Sequence, residues 1–412
     1  MKYGLIGEHL GHSFSKEIHE RIADYTYEIR EIEPDKLGDF LSNPEFSGIN
    51  VTIPYKEKAI PYLYFISENA KKIGAVNTVR NEDGKLYGYN TDYMGMRALI
   101  LRNNIDLKGK KALILGGGGT SKTGRAVLTD LGVREIVRVG LASENPDALY
   151  EDVAEKHADA EFILNTTPVG MYPKNEGRII DVNDFPCLEG LIDVVYNPLR
   201  TNLVLDARKK GIKSEGGLYM LVSQAIYASE IFTGNKISDD VCENTFKQIF
   251  KQKENIVLIG MPSSGKSTVG MYLATQTGRT LVDTDAEIVK RIGMEISEYF
   301  KLYGEEKFRD VESEVVKDLC AQNGLIIATG GGAILREDNV RYMKQNGRLY
   351  FLNRSLEMLT PTSDRPTASD YEALRRRYEE RYDIYRSVAD VIVPGNGMIP
   401  QVAEIIKGEF FS

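Results

Sequence analysis

The stretch 256-IVLIGMPSSGKSTVG-270 constrains this chain more than any other. An apolar run, a Gly-x-x-x-x-Gly-Lys-Ser loop and a helical pattern follow one another in the order strand, loop, helix. Glycines let backbone N–H groups close around phosphate oxygens. The helix that follows points its positive end at the same anion. Lys266 would reach the terminal phosphates of a nucleotide and the Ser267 hydroxyl would ligate Mg²⁺. Gly260, Ser263, Ser264, Gly265 and Thr268 complete the expected ATP cradle. The loop begins past the middle of 412 residues. At ~150 residues per domain, two or three domains are expected.

Alternating short apolar runs and amphipathic stretches fill the rest of the chain. Candidate strands are 111–117, 135–139, 161–165, 191–195, 256–260, 325–329 and 348–352, with helical periodicity at 200–211 and 311–324. That alternation predicts βαβ units and parallel sheets, an α/β fold class. One boundary is expected near 247–255, where a polar helix gives way to the strand at Ile256, and a softer one near 103–111.

Net charge is −8, which argues against general nucleic-acid binding while leaving room for a local basic pocket. Cys187, Cys242 and Cys320 show no metal or redox spacing and suit a reducing compartment. After Met1-Lys2 the apolar run is cut by Glu8, and no uncharged apolar stretch reaches the ~18 residues of a membrane span. A cytoplasmic protein acting on small molecules is expected, with no nucleic acid and no membrane as partner.

Downstream of the loop lies 281-LVDTDAEIV-289. If extended, Asp283 and Asp285 share a face. One carboxylate then holds the Mg²⁺ water shell, with Ser267, and the other takes an acceptor hydroxyl. The alternative is a helix N-cap at Thr284 or Asp285. Then come 308-FRDVE-312, 329-TGGGA-333, 364-DRPT-367 and 381-RYDIY-385. On these motifs, residues 255–412 resemble shikimate kinase, which implies a P-loop, nucleoside-monophosphate-kinase-like domain using ATP and Mg²⁺. The resemblance puts Asp285, Arg309, Gly330, Gly331, Gly332 and Arg381 at the acceptor and Arg365 in a lid. Guanidinium forks at Arg309 and Arg381 suit a carboxylate, and Arg365 suits a transferring phosphoryl group. The other arginines of 374-LRRRYEERYDIYR-386 are expected on a charged surface helix. Thr360 stands where the family has an adenine-stacking Arg.

Near the N-terminus, 4-GLIGEHLGHSFSKEIHE-20 places Ser13 and Ser15 around Phe14. If extended, both hydroxyls face one way; the alternative is a turn and a helix N-cap. In 48-GINVTIPYKEKA-59, Asn50 and Thr52 share a strand face and Lys56 follows at its tip; 74-GAVNTV-79 and 88-GYNTDYMGM-96 add Asn77 and Asp92. Together with 166-TTPVGMYP-173, 196-YNPLRTNLV-204 and 216-GGLYMLVSQA-225, these motifs make residues 1–250 resemble shikimate dehydrogenase. The resemblance implies that Lys56 and Asp92 form the catalytic pair. It puts Ser13, Ser15, Asn50, Thr52, Asn77, Tyr196 and Gln224 around the substrate. It also implies a substrate domain at 1–105 closed by helices at about 218–250, and a Rossmann-like domain at 106–250.

The dinucleotide is expected on 112-ALILGGGGTSKTGRAV-127, with Gly116, Gly117, Gly118, Gly119, Thr120, Ser121 and Lys122 in contact and Gly217 nearby. Ser121 takes the place of the third glycine. The next strand end reads 138-RVGLASENP-146, with Leu141 where NADP-preferring members carry Arg. NADP or NAD is therefore expected as cofactor. The expected whole is one chain that reduces 3-dehydroshikimate to shikimate and phosphorylates shikimate. The alternatives are a dehydrogenase-like half that only binds, or one that prefers quinate.

Overall fold

A computed structural model describes residues 1–10, 14–360 and 371–412. The chain divides into two compact units, Met1–Gln248 and Ile249–Ser412.

The first unit holds two sheets. One contains β1 (Tyr3–Gly7), β2 (Tyr27–Glu31), β3 (Gly48–Val51), β4 (Phe65–Ile66), β5 (Thr78–Glu82) and β6 (Lys85–Tyr89), in the order β2-β1-β3-β5-β6-β4. It is mixed: β5 runs antiparallel to β3 and β6. The other contains β7 (Lys111–Leu115), β8 (Glu135–Gly140), β9 (Ala148–Leu149), β10 (Phe162–Asn165), β11 (Gly190–Asp193) and β12 (Lys213–Glu215), ordered β12-β11-β10-β7-β8-β9. Its pairings are parallel throughout.

Parallel strands are buried on both faces, and β7 shows why its sequence is continuously apolar. Ala112 and Ile114 point into one core with Met96, Leu99 and Val127; Leu113 and Leu115 point into another with Leu203 and Val204. The helix Gly119–Asp130 packs so closely on the sheet that a Cβ at Gly124 would meet Leu164 at 2.6 Å. At the end of β11, Asp193 is fully buried and accepts from Asn165 Nδ2, the Val195 N–H and Thr201 Oγ1, at 3.0, 3.0 and 2.6 Å. Burial pushes its carboxyl up to about 6. These bonds pin the loop that carries Tyr196.

The second unit holds β13 (Asn255–Ile259), β14 (Leu281–Asp283), β15 (Ile326–Ala328), β16 (Gly347–Asn353) and β17 (Val391–Pro394), ordered β14-β15-β13-β16-β17 and all parallel. The central strand again alternates between two cores: Val257 and Ile259 against Phe308 and Tyr385, Ile256 and Leu258 against Leu273 and Phe410. The α/β class with parallel sheets is therefore observed, and each of the seven candidate strands coincides with a strand. Among the described residues, no helix is long and apolar enough to cross a membrane.

Candidate active sites

In the first unit, the strand end of β3 and the start of the helix Thr91–Arg102 meet. Asn90 caps that helix, accepting the Tyr93 N–H at 3.1 Å, which is what an Asn at this position does for an unpaired first-turn donor. The cap fixes Asp92 in the first turn, and Lys56 Nζ lies 2.5 Å from Asp92 Oδ2. Both side chains keep partial access, 29% and 21%. They line a cavity of about 330 Å³ together with Ser15, Asn50, Thr52, Asn77, Tyr196 and Gln224. Eight residues singled out from widely spaced motifs thus share one cavity.

The walls are held by a hydrogen-bond network. Tyr27 Oη donates to Asn50 Oδ1 at 2.7 Å, and Asn50 Nδ2 donates to the Asn77 carbonyl at 3.2 Å and to Thr78 Oγ1 at 3.0 Å. Asn77 Oδ1 accepts from the Thr91 N–H at 2.7 Å. Gln224 reaches Thr91 Oγ1 at 3.4 Å from the helix Leu218–Thr233. Beneath Asn50, His19 is wholly buried, stacked on Tyr27 at 4.0 Å and bonded to Tyr25 at 2.7 Å; burial pushes its imidazole down to about 3. His9 and Leu221 also line the cavity. No sequence motif marks them, since a lone His and a helical Leu fit many surfaces.

One expectation needs correction. Phe14 has helical backbone angles (φ −76°, ψ −5°), and Ser15 opens the helix Ser15–Ile22. Ser15 is therefore not extended, and it is not the N-cap of the alternative either: Phe14 holds that position, without a side-chain cap bond, and Ser15 is the first helical residue. Ser13 itself lies outside the described residues.

Behind this cavity, β7 runs into the glycine turn. Gly116 has φ +106°, a left-handed conformation that favours glycine, and a Cβ there would meet Thr167 at 2.9 Å. Gly118 and Gly119 have no heavy atom within 4 Å of a Cβ position, so an anion has room to approach the N–H groups that open the helix Gly119–Asp130. Those residues fit a dinucleotide pyrophosphate. Thr120 and Ser121 continue the first turn, Ser121 buried. Lys122 pairs with Glu57 at 3.0 Å. Gly217 precedes the helix Leu218–Thr233, and its N–H donates to the Val195 carbonyl at 2.8 Å. Leu141, at the end of β8, is 60% exposed.

In the second unit, Gly260 (φ +148°), Ser263 (φ +63°) and Gly265 (φ +93°) bend the loop after β13. Lys266 Nζ lies at its centre, donating to the Gly260 and Met261 carbonyls at 2.9 Å each. Ser263 Oγ donates to the Thr360 carbonyl at 2.8 Å. The Ser264 hydroxyl is buried there without a protein partner. An unpartnered hydroxyl, a central ammonium and a helix N-terminus fit a nucleotide phosphate. Ser267 Oγ sits 2.6 Å from Asp283 Oδ2, an oxygen-donor pair that suits Mg²⁺. Thr268 continues the helix Lys266–Thr277.

Asp283 ends β14 and caps the helix Thr284–Ile292, accepting the Asp285 N–H at 3.0 Å. Asp285 is therefore helical and the shared strand face is not formed; the cap is Asp283, ahead of both Thr284 and Asp285. The turn nonetheless aims Asp285 into a cavity of about 360 Å³ lined by Arg309, Arg381 and the Gly330–Gly332 triplet. Arg309 forks between Glu312 at 2.7 Å and Glu305 at 2.9 Å. Arg381 Nη1 and Tyr385 Oη donate to the Gly331 carbonyl at 2.9 and 2.6 Å. The glycines leave the room these groups use: a Cβ on Gly330 would meet Asp285 Oδ1 at 2.5 Å. Arg377 lines the same cavity; burial, and then the charge of Arg381, lower it to about 10. The charged pattern of 374–386 suggests a solvated face for it, although its spacing of one helical turn before Arg381 puts both on one side. Arg365 lies outside the described residues.

Two family models match: "Shikimate dehydrogenase substrate binding domain" over residues 5–79 and "Shikimate kinase" over 262–408. The chain is 38% identical over 269 residues to shikimate dehydrogenase (NADP(+)) of Clostridium beijerinckii, covering 60% of this chain and 99% of that protein. It is similar to a chorismate mutase/shikimate 5-dehydrogenase fusion from Clostridium acetobutylicum, at 34% identity and TM-score 0.57 over 60% of this chain and 96% of that one. The shikimate 5-dehydrogenase of Thermus thermophilus, solved with NADP(H) and shikimate, matches at 30% identity and TM-score 0.53, covering 60% of this chain and 99% of that one.

Proposed function

The chain belongs to the shikimate dehydrogenase family and carries a shikimate kinase domain behind it, and from this premise we propose how its residues divide two consecutive reactions. The Lys56–Asp92 pair, exposed to a cavity walled by amides and hydroxyls, is the observation that carries the first. A nicotinamide dinucleotide supplies the hydride for reducing the 3-keto group. Lys56 gives its proton to the oxygen that gains negative charge, and Asp92 orients the ammonium. Ser15, Thr52, Asn77 and Gln224 hold the ring so that one face is presented. Residues 1–105 with the helices at 218–250 serve as substrate domain and 106–250 as dinucleotide domain.

The second reaction uses the other cavity. ATP supplies the phosphoryl group and Mg²⁺ offsets its charge. Asp285 takes the proton of the acceptor hydroxyl, while Arg309 and Arg381, with Arg377 beside them, hold the substrate carboxylate. Lys266 and Ser267 hold the nucleotide side, and Arg365 is assigned to the charge on the transferring phosphoryl group. The hydroxyl created by reduction is the one phosphorylated, so the two steps act on one substrate carbon. Cytoplasmic placement accords with this small-molecule chemistry.

Paired variants test the division. Lys56→Met should lower the dehydrogenase kcat by ~10²–10⁴-fold with little change in phosphorylation. Lys266→Met should lower phosphorylation by ~10²-fold or more and leave the redox step intact. Loss of both activities in either variant contradicts two separate sites.

A further inference from the structure

The curated relatives are NADP(+) enzymes, yet the charge that this chain presents at the adenosine end of the dinucleotide turn is negative. At the tip of β8, where a 2′-phosphate needs a cation, Leu141 projects outward. Three residues later the chain folds back. Glu144 Oε2 accepts the Leu141 N–H at 3.2 Å. The same carboxylate lies over the glycine turn: a Cβ on Gly117 would meet Glu144 Cδ at 3.0 Å and its two oxygens at 3.1 and 3.2 Å, and one on Gly140 would meet Oε2 at 2.5 Å. Glycine at 117 and at 140 leaves this approach open.

The cations close to this corner are already engaged. Arg138 donates to the Glu144 carbonyl at 3.1 Å and to the Asn145 carbonyl. Arg125 pairs with Asp147 at 2.8 Å, and Asp147 also accepts the Arg138 N–H at 2.8 Å. Lys122 pairs with Glu57. The half-buried Tyr150 phenol bonds the Gly116 backbone and lies within the field of Glu144, so it adds no positive charge. An acidic side chain over the first glycine turn, beside the end of the second strand, is where a dinucleotide fold meets the ribose of the adenosine. A carboxylate there accepts from ribose hydroxyls, and it repels a dianionic phosphate at the same place.

We infer that Glu144 is a specificity-determining residue: it accepts hydrogen bonds from the adenosine ribose hydroxyls, opposes a 2′-phosphate, and makes this dehydrogenase take NAD(H) in preference to NADP(H). The inference rests on the dinucleotide site proposed for the Gly116–Gly119 turn. Glu144 is exposed, and Gln in its place keeps an oxygen that can accept the Leu141 N–H, so Glu144→Gln leaves the fold intact.

Equilibrium titration of the full chain, followed by the emission of the reduced nicotinamide, tests it without turnover. NADH should bind at least tenfold more tightly than NADPH at low ionic strength, and added salt should narrow the ratio. Glu144→Gln keeps the shape and removes the charge; it should cut the ratio at least fivefold, mainly by tightening NADPH. Leu141→Arg, which adds a cation beside the same ribose, should shift the ratio in the same direction. Equal or tighter binding of NADPH by the unaltered chain, or a ratio unmoved by Glu144→Gln, overturns the inference and leaves the dinucleotide site standing. Binding of neither nucleotide overturns that site, and the inference with it.

Discussion

His19 shows how much of the first site is decided by single residues that never touch substrate. It is sealed beneath Asn50, stacked on Tyr27, and burial holds its imidazole near 3 against an ordinary 6.5. The ring is therefore neutral in the folded chain across the physiological range. Unfolding lets it take up a proton below about 6.5, so its burial subtracts stability progressively as pH falls from there toward 3. The His19 ring resonances should not titrate between pH 5 and 8. A midpoint near 6.5 would show a solvated ring and a looser floor under Asn50. In the second site, Arg377→Met should raise KM for the acceptor by about tenfold with a smaller effect on kcat, because a partly buried guanidinium beside Arg381 binds charge rather than moving a proton. An unchanged KM would return Arg377 to the solvated face that its neighbours in the sequence suggest.

At the scale of elements, glycines and caps do most of the positioning. Gly217 sits where the helix Leu218–Thr233 starts, and a Cβ there would run into the Val194 carbonyl. Gly217→Ala should therefore push this helix off its seat, lowering stability by ~1–3 kcal/mol in urea denaturation. Because Gln224 and Leu221 ride on that helix, KM for the dehydrogenase substrate should rise too. A stable variant with native KM would mean the helix start is not tightly held. The strands were legible because apolar runs such as Ala112–Leu115 are short, bounded by turn residues and buried on both faces. The local shape at Ser15 and Asp285 was not. Alternation along a strand is a sound rule only inside a strand, and in both places a helix begins first; at Asp285 the Asp283 cap sets the turn, and at Ser15 the helix starts after Phe14 without a side-chain cap. The residues themselves were still identified, because motif spacing names a position without specifying its backbone. Glu144 shows the reverse case: the sequence holds an acidic residue beyond the usual spacing, and only the turn after β8 brings it back over Gly117.

At the scale of the molecule, each compact unit contains a complete cavity with its own charge logic. One is lined by amides, hydroxyls and a single Lys–Asp pair; the other by three guanidinium groups and carboxylates that include Asp285 and Glu312. The first suits proton delivery to a carbonyl oxygen, the second capture of a carboxylated alcohol beside a phosphate loop. Their order along the chain matches the order of the chemistry, since reduction creates the hydroxyl that phosphorylation consumes. The most direct measurement supplies one purified chain with 3-dehydroshikimate, reduced nicotinamide dinucleotide, ATP and Mg²⁺, and follows the products by mass. The account predicts loss of nicotinamide absorbance together with appearance of shikimate 3-phosphate, and shikimate alone when ATP is withheld. No oxidation of either NADH or NADPH, or shikimate accumulating unphosphorylated with ATP present, would contradict it.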